Sequence, residues 1–251
     1  VKRGMTSSFA WRRGLHGVLN WVFPTDAETC AVCGRPSLTT DAAPLWQSPS
    51  DSSRLCPFCV QDLERCRIAV ECHALQVERA PYGRIDVYSG IDYDAFVRTL
   101  FRSFKYDGVI ELAPFFSHVL LACWQELGEA GCDCVVPVPT AADRMRKRGY
   151  DHVRILADMV ADRVQLPIRA ALVRVQRPGG FTQSQTAKNA QLRRRELEGG
   201  FVANRERPIG GRRVLLLDDV ATTGATLAAC ANILFASGAQ SVIAMVAARV
   251  R

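Results

Sequence analysis

The sequence predicts an α/β fold, a mostly parallel sheet flanked by helices, preceded by a small cysteine-bound module. Two observations carry this. From about residue 75, short apolar runs alternate with segments of helical period, as when strands are joined by crossover helices. Ahead of that point, six of the ten cysteines crowd between Cys30 and Cys72. Size and composition agree. The chain has 251 residues, 48% hydrophobic and 23% charged, with a mean hydropathy of +0.01. That suffices for one core plus a small module and is too apolar for a disordered chain. No run of about 18 apolar residues occurs, so no membrane-spanning helix is expected.

Three regions are expected: residues 1–24, 25–74 and 75–251. In the first, Phe9, Trp11, Leu15, Val18, Leu19 and Val22 mix with Arg12 and Arg13 and read as a short amphipathic helix stopped by Pro24. It suits packing on a neighbouring module better than lying on a membrane. The second is the cysteine-rich segment, whose middle, residues 37–53, is rich in Ser, Thr, Pro and Asp and reads as a loop.

In the third, residues 85–91 read as a strand. Residues 94–105 place Val97, Leu100, Phe101 and Phe104 on one helical face. A second helix is expected over 111–127, and a short strand over 134–138 that closes at Pro139. A helix over 152–164 carries Val153, Leu156, Ala157, Val160 and Val164 on one stripe. Val214–Leu217 reads as a buried strand, 226–237 as a helix ending at Gly238, and 242–248 as a last strand.

Thirty-two Lys and Arg stand against 25 Asp and Glu, a net charge of +7 and a pI near 9.0. The total fits nucleic acid, a phosphorylated small molecule or an anionic membrane surface equally well. Its distribution says more. Residues 143–213 hold 17 basic and 7 acidic residues, a local +10, and the remainder of the chain is −3.

A secreted disulfide scaffold would be smaller and would follow a signal peptide. Lys2 and Arg3 are not followed by a long apolar stretch, so a cytoplasmic location is expected. Cys30-Ala-Val-Cys33 and Cys56-Pro-Phe-Cys59 are two C-x-x-C pairs separated by 22 residues. Each knuckle presents two thiolates from one tight turn, and two knuckles complete a tetrahedron. Structural Zn2+ on Cys30, Cys33, Cys56 and Cys59 is therefore expected, ahead of a redox motif, which needs only one reactive pair. Cys66, Cys72 and His73 lack knuckle spacing and are read as buried or unpaired.

The strongest chemical feature is Val214-Leu-Leu-Leu-Asp218-Asp219-Val-Ala-Thr-Thr-Gly-Ala-Thr226, running into an amphipathic helix. Open α/β sheets bind ligands at the carboxyl ends of their strands. The small loop and helix N-terminus can cradle a phosphate with backbone N–H groups. Two carboxylates facing that phosphate would repel it, but they suit the paired hydroxyls of a sugar. The pattern reads as a ribose 5-phosphate site. A Walker A loop is excluded because its lysine is missing. His152 is read as starting a helix capped by Asp151, ahead of an acid–base role. His16, His73 and His118 have no partnered triad, and no Ser or Cys nucleophile stands out.

On these residues the chain resembles the type I phosphoribosyltransferases, whose PRPP-binding signature is this strand, acid pair and Thr-Thr-Gly-x-Thr loop. Ala221 stands where that family often has a larger residue. Over residues 19–250 it is similar to the ComF competence family of double zinc ribbon and phosphoribosyltransferase proteins. The similarity includes the N-terminal helix, the knuckles, Phe104-Lys-Tyr-Asp-Gly108, Val136-Pro-Val-Pro139, Arg146-Lys-Arg-Gly-Tyr150 and Ser184-Gln185-Thr186. The resemblance implies a type I phosphoribosyltransferase-like sheet. Asp218 and Asp219 would hold the ribose, and Ala221, Thr222, Thr223, Gly224, Ala225 and Thr226 its 5-phosphate. Lys105, Thr140, Arg144, Arg146, Lys147 and Arg148 would face the diphosphate, with Mg2+ accompanying PRPP.

Departures from the family pattern are Asp151-His152 for Asn-Gln, Ala187-Lys188 for Gly-Leu, and Arg195-Glu196-Leu197 for Arg-Asn-Leu. The expected function is a PRPP-binding, phosphoribosyltransferase-like protein of DNA uptake or nucleotide metabolism, its acceptor unspecified. The alternative is a non-catalytic protein of the competence machinery that handles single-stranded DNA on the same scaffold.

Overall fold

The computed structural model describes residues 29–35, 55–128, 131–175 and 200–251. The helix expected over 8–23, the loop over 37–53, and the Ser184-Gln185-Thr186 and Arg195-Glu196-Leu197 segments lie outside these. In chain order the elements are α1 (Pro57–Arg65), β1 (Glu71–Gln76), β2 (Arg84–Asp92), α2 (Ala95–Tyr106), a 3-10 turn (Ile110–Leu112) and α3 (Ala113–Leu127). There follow β3 (Cys134–Pro137), α4 (Ala142–Arg148), α5 (His152–Val164), β4 (Leu172–Arg174), β5 (Phe201–Ala203), β6 (Arg213–Ala221), α6 (Ala225–Ala236) and β7 (Ser241–Arg249).

The main sheet has the order β1-β2-β7-β6-β3. All neighbours are parallel except β1, which runs antiparallel along the edge of β2. A parallel sheet with helices on both sides is buried on both faces, which explains the unbroken apolar run Val214–Leu217. Val135, Leu215, Leu217, Met245 and Ala247 face a core built with α2, α3 and α5. Cys134, Val136, Val214, Leu216, Ala244 and Val246 face a second core with α6 and the β4–β5 hairpin. In the first core the rings of Phe101 and Phe116 stack at 4.1 Å between centroids, and Phe104 tilts against Phe116 at 5.3 Å. Helix α3 lies close on β2 because Gly90 has no Cβ, which would stand 2.3 Å from Val119 Cγ1.

Caps fix two helices where the sequence places them. Asp94 accepts from Val97 N at 2.8 Å to start α2, and Asp151 accepts from Arg154 N at 3.1 Å to start α5. Other parts differ from expectation. Residues 142–148, to which the sequence assigns no element, form α4. Strand β1 begins at Glu71, inside the region assigned to the cysteine module, and joins the main sheet. The two three-residue strands β4 and β5 fall where the sequence shows no strand pattern. Strand β6 continues through both acids to Ala221, pairing Asp218 with Val246 and Ala221 with Arg249 of β7. Among the described residues, no helix is long and apolar enough to cross a membrane.

Candidate functional site

Two sites emerge from this frame. In the first, the Sγ atoms of Cys30, Cys33, Cys56 and Cys59 all lie within 4.8 Å of one another. Cys33 and Cys56 are 3.6 Å apart, close to the separation of about 3.8 Å expected on a tetrahedral metal with 2.3 Å bonds. The first knuckle closes with Gly34 N donating to Cys30 O, at a glycine whose φ is +70°. The second is the N-terminus of α1, where Cys56 is the cap and its Sγ accepts from Cys59 N at 3.5 Å.

Burial and the neighbouring thiols push Cys59 far above the usual thiol range. Burial would raise Cys30 too, but the backbone groups of Cys56, Cys33 and Val32 bring it to about 7. Four such sulfurs share this space comfortably only around a cation, so the set fits a metal ion. Cys66, Cys72 and His73 stand apart from it, Cys66 capping α1 and the other two on β1.

The second site is a crevice of about 310 Å³ at the carboxyl ends of β3 and β6. Strand β3 ends at Pro137, opposite Leu217, so β6 runs on without a neighbour on that side. Chain leaving β3 packs α5 on one face of the sheet, and chain leaving β6 packs α6 on the other, which opens the gap where such sheets bind ligands. Asp218 and Asp219 lie at its base and are both buried. Being consecutive in a strand, they point to opposite faces.

Asp219 faces α2 and α5. Its Oδ2 is 2.6 Å from Lys105 Nζ and 2.9 Å from His152 Nε2. Arg148 Nη1 lies 2.9 Å from His152 Nδ1. A guanidinium only donates, so the imidazole accepts from Arg148, nearest at Nδ1, while its Nε2 stands within ion-pair distance of Asp219. Arg148 is itself buried, with its guanidinium 4.6 Å from the centroid of the Tyr106 ring. Asp218 faces the other side, where its Oδ1 accepts from Asp219 N at 2.9 Å. Burial and the charge of Asp219 push Asp218 up to about 8. Burial acts on Asp219 too, but Lys105 and His152 hold it well below the usual carboxylate range. One acid of the pair is therefore ionised at neutral pH and the other protonated.

The crevice gathers Lys105, Thr140, Arg144, Arg148, Asp218, Asp219 and Thr226 of the residues singled out from sequence. Several are already committed. Lys105 is on Asp219, Arg148 is on His152, and Thr140 donates to Asp151 Oδ1 at 2.9 Å. Arg146 and Lys147 are exposed on α4 and do not line the crevice. Buried Ala221 ends β6, and Thr222, Thr223 and Ala225 are exposed beyond it. Gly224 caps α6 with φ +76° and offers no side-chain acceptor of its own, and the first N–H of that helix, on Ala225, donates to Thr223 Oγ1 at 3.4 Å. A Cβ there would stand 2.6 Å from Leu75 Cδ1, so the loop conformation and its packing both require glycine.

His152 and Arg174, neither assigned to the site from sequence, also line the crevice. His152 does begin a helix behind an Asp151 cap, as read, and its ring also reaches the acid pair. The signal available was the segment Arg148-Gly-Tyr-Asp-His152, in which a basic residue and a histidine stand four apart across a glycine.

The phosphoribosyl transferase domain family matches residues 153–251. The DNA utilization protein YhgH of Escherichia coli (strain K12) is 27% identical over 217 residues, covering 85% of this chain and 86% of that protein. Competence protein ComFC of Bacillus subtilis (strain 168) is 24% identical, covering 85% and 80%. Competence protein F of Haemophilus influenzae is 31% identical over 113 residues, covering 44% and 47%. Among solved structures, orotate phosphoribosyltransferase from Aeropyrum pernix aligns with a TM-score of 0.35 at 23% identity, covering 75% of this chain and 78% of its own. The two cysteine knuckles and the two-acid strand with its Thr-Gly loop accord with this likeness to DNA utilization and competence proteins along most of the chain, and with a type I phosphoribosyltransferase-like fold.

Proposed function

We propose that the chain binds PRPP with Mg2+ in the crevice between β3 and β6 and acts as a phosphoribosyltransferase-like protein in the handling of incoming DNA. The observation that carries this is the acid pair at the end of β6, one turn before an uncapped helix reached through Thr222, Thr223 and Gly224. The backbone N–H groups of the loop and first turn, with the helix dipole, suit the 5-phosphate dianion. Asp219, ionised, accepts from a ribose hydroxyl. Asp218, holding its proton, can both donate and accept. Arg144, Arg148 and Arg174 bring positive charge to the same crevice, where the diphosphate would lie.

In group transfer the bond between the anomeric carbon and the diphosphate oxygen breaks, its electron pair leaving with the diphosphate, and the acceptor's lone pair forms the new bond. The ring carbon gains oxocarbenium character on the way. This chain's residues contribute by fixing the sugar and by placing cations where negative charge grows. Mg2+ bound with the diphosphate would carry part of that charge.

The four-cysteine set would hold Zn2+. Such a site is closed, so the metal serves the fold, tying the knuckles to the core that contains Leu63, Leu100 and Phe101.

The association with DNA rests on the names of the relatives, DNA utilization protein and competence protein. The same scaffold could carry single-stranded DNA directly, and one observation favours that second reading. Helix α4 exposes Arg144, Arg146 and Lys147 on its surface. Tyr150 and Phe201, which fall in the same basic stretch of the sequence, are buried, so neither offers a ring for stacking.

Equilibrium titration with PRPP and Mg2+ tests the first reading. The wild type should saturate, and the Asp218→Asn/Asp219→Asn double variant should lose at least about tenfold in affinity. Absence of saturable wild-type binding defeats the reading. For DNA, affinity should fall steeply with salt and drop on neutralising Arg144, Arg146 and Lys147.

A further inference from the structure

We infer that His152 is a positioning residue for the sugar site: together with Lys105 it clamps Asp219, making that carboxylate the oriented, charged acceptor of the pair. This rests on the ribose 5-phosphate reading above. The case begins with what His152 does not do. Helix α5 is capped by Asp151, whose Oδ1 already takes Arg154 N, so the imidazole is not needed to start the helix. If position 152 merely filled space beside Phe104, an apolar side chain would serve. Instead an imidazole is buried with Nε2 at 2.9 Å from Asp219 Oδ2.

Its other nitrogen is taken as well. Arg148, from the end of α4, stands 2.9 Å from Nδ1 and is also buried, with only 7% of its surface exposed. An arginine is costly to bury, and here its guanidinium is spent on a histidine and on the face of Tyr106. The result is a continuous polar chain from Arg148 through His152 and Asp219 to Lys105. Four elements contribute to it: α4, α5, β6 and α2.

The chain answers a problem set by the sequence. Two adjacent buried carboxylates repel each other, and an unassisted pair would divide one charge between two sites. Lys105 and His152 both act on Asp219 Oδ2, and neither contacts Asp218. They place the charge on the face that looks toward α2 and α5. The pull of burial on Asp218 in the other direction supports the same division. An oriented carboxylate discriminates a ligand with hydroxyls from one without them, whereas the phosphate loop at 222–226 binds both alike.

The full-length, metal-loaded protein is titrated calorimetrically with ribose 5-phosphate and with inorganic phosphate, and the ratio of the two affinities is read. A general loss of folded protein lowers the active fraction for both ligands and leaves their ratio alone. His152→Leu should lower the ratio at least about tenfold, and His152→Gln, which keeps an N–H near the Nε2 position, should restore it to within about threefold. An unchanged ratio in His152→Leu overturns the inference, as does a Gln variant no better than Leu. Should His152→Leu lose phosphate binding altogether, Lys105→Met decides: a fall in ratio supports the clamp, and an unchanged ratio overturns it. Failure of the wild type to bind ribose 5-phosphate more tightly than phosphate strikes the ribose-phosphate reading itself, and is seen before any variant is made.

Discussion

Replacing Asp218 and Asp219 by asparagine, one at a time, is expected to move stability in opposite directions. At Asp219 the carboxylate neutralises Lys105, whose side chain is 19% exposed, and receives His152, whose side chain is 7% exposed. Removing the charge leaves a mostly buried ammonium without its partner. Breaking such a pair costs about 3–5 kcal/mol, and the partial exposure of Lys105 points to the lower end. For a chain of this size that is roughly 6–12 °C in Tm at pH 7.

The sign at Asp218 is reversed. Its pKa is raised to about 8, chiefly by burial and then by the charge of Asp219. The folded chain keeps this proton while the unfolded chain, with an ordinary value of about 3.9, releases it. Wild-type stability is therefore lost as pH rises from about 4 to about 8, by up to about 1.4 kcal/mol per pH unit from this group. Asparagine can still accept from Asp219 N and carries no such penalty. Asp218→Asn should raise Tm progressively above pH 5, with the largest gain near pH 8. Asp219 contributes with the opposite slope, because its value is lowered: its stabilisation is complete above about pH 4 and is lost as pH falls through its native value. Thermal unfolding followed by circular dichroism at pH 5, 7 and 8.5 reads all of this. Equal shifts of the same sign in both variants at pH 8.5 would refute the assignment of one charged and one protonated acid.

Three further outcomes are expected. Metal analysis should find one zinc per chain in the wild type and little in Cys30→Ala, with a lower Tm because the knuckles share a core with α2; full retention of metal would count against the cluster. Tyr150→Phe removes a buried hydroxyl that donates to Phe104 O beside Lys105, and should cost about 1–2 kcal/mol in urea unfolding. Gly224→Ala places a Cβ against Leu75 at a positive φ, costing about 1–2 kcal/mol. That substitution should also weaken inorganic phosphate binding, and unchanged phosphate affinity would separate the loop from the anion.

Much of the frame is legible because its signals are local. Helix α5 follows from one apolar stripe and one capping aspartate, and β6 from an apolar run that only a doubly covered sheet accepts. The cysteine cluster follows from spacing alone. What escaped depends on contacts between distant segments or on weak periodicity. Helix α4 is dominated by charge, with Asp143, Arg144, Arg146, Lys147 and Arg148 in seven residues, and gives no apolar stripe. Strand β1 is an exposed edge, and β4 and β5 are three residues each. The sequence marks the acid pair but ends the apolar run at Leu217, whereas β6 continues to Ala221 and so turns the two consecutive acids to opposite sides of the sheet. No local pattern announces that Lys105, expected at a diphosphate, rests on Asp219, or that His152 joins it. Those pairings exist only once α2, α4 and α5 are packed on β6.

The central claim is a single PRPP site at the carboxyl end of β6. Calorimetric titration of the metal-loaded protein with PRPP in Mg2+, repeated in the presence of ribose 5-phosphate, tests it most directly. One site per chain, with affinity reduced competitively by ribose 5-phosphate, is the predicted result. An isotherm without saturation, or PRPP binding indifferent to ribose 5-phosphate, would contradict it.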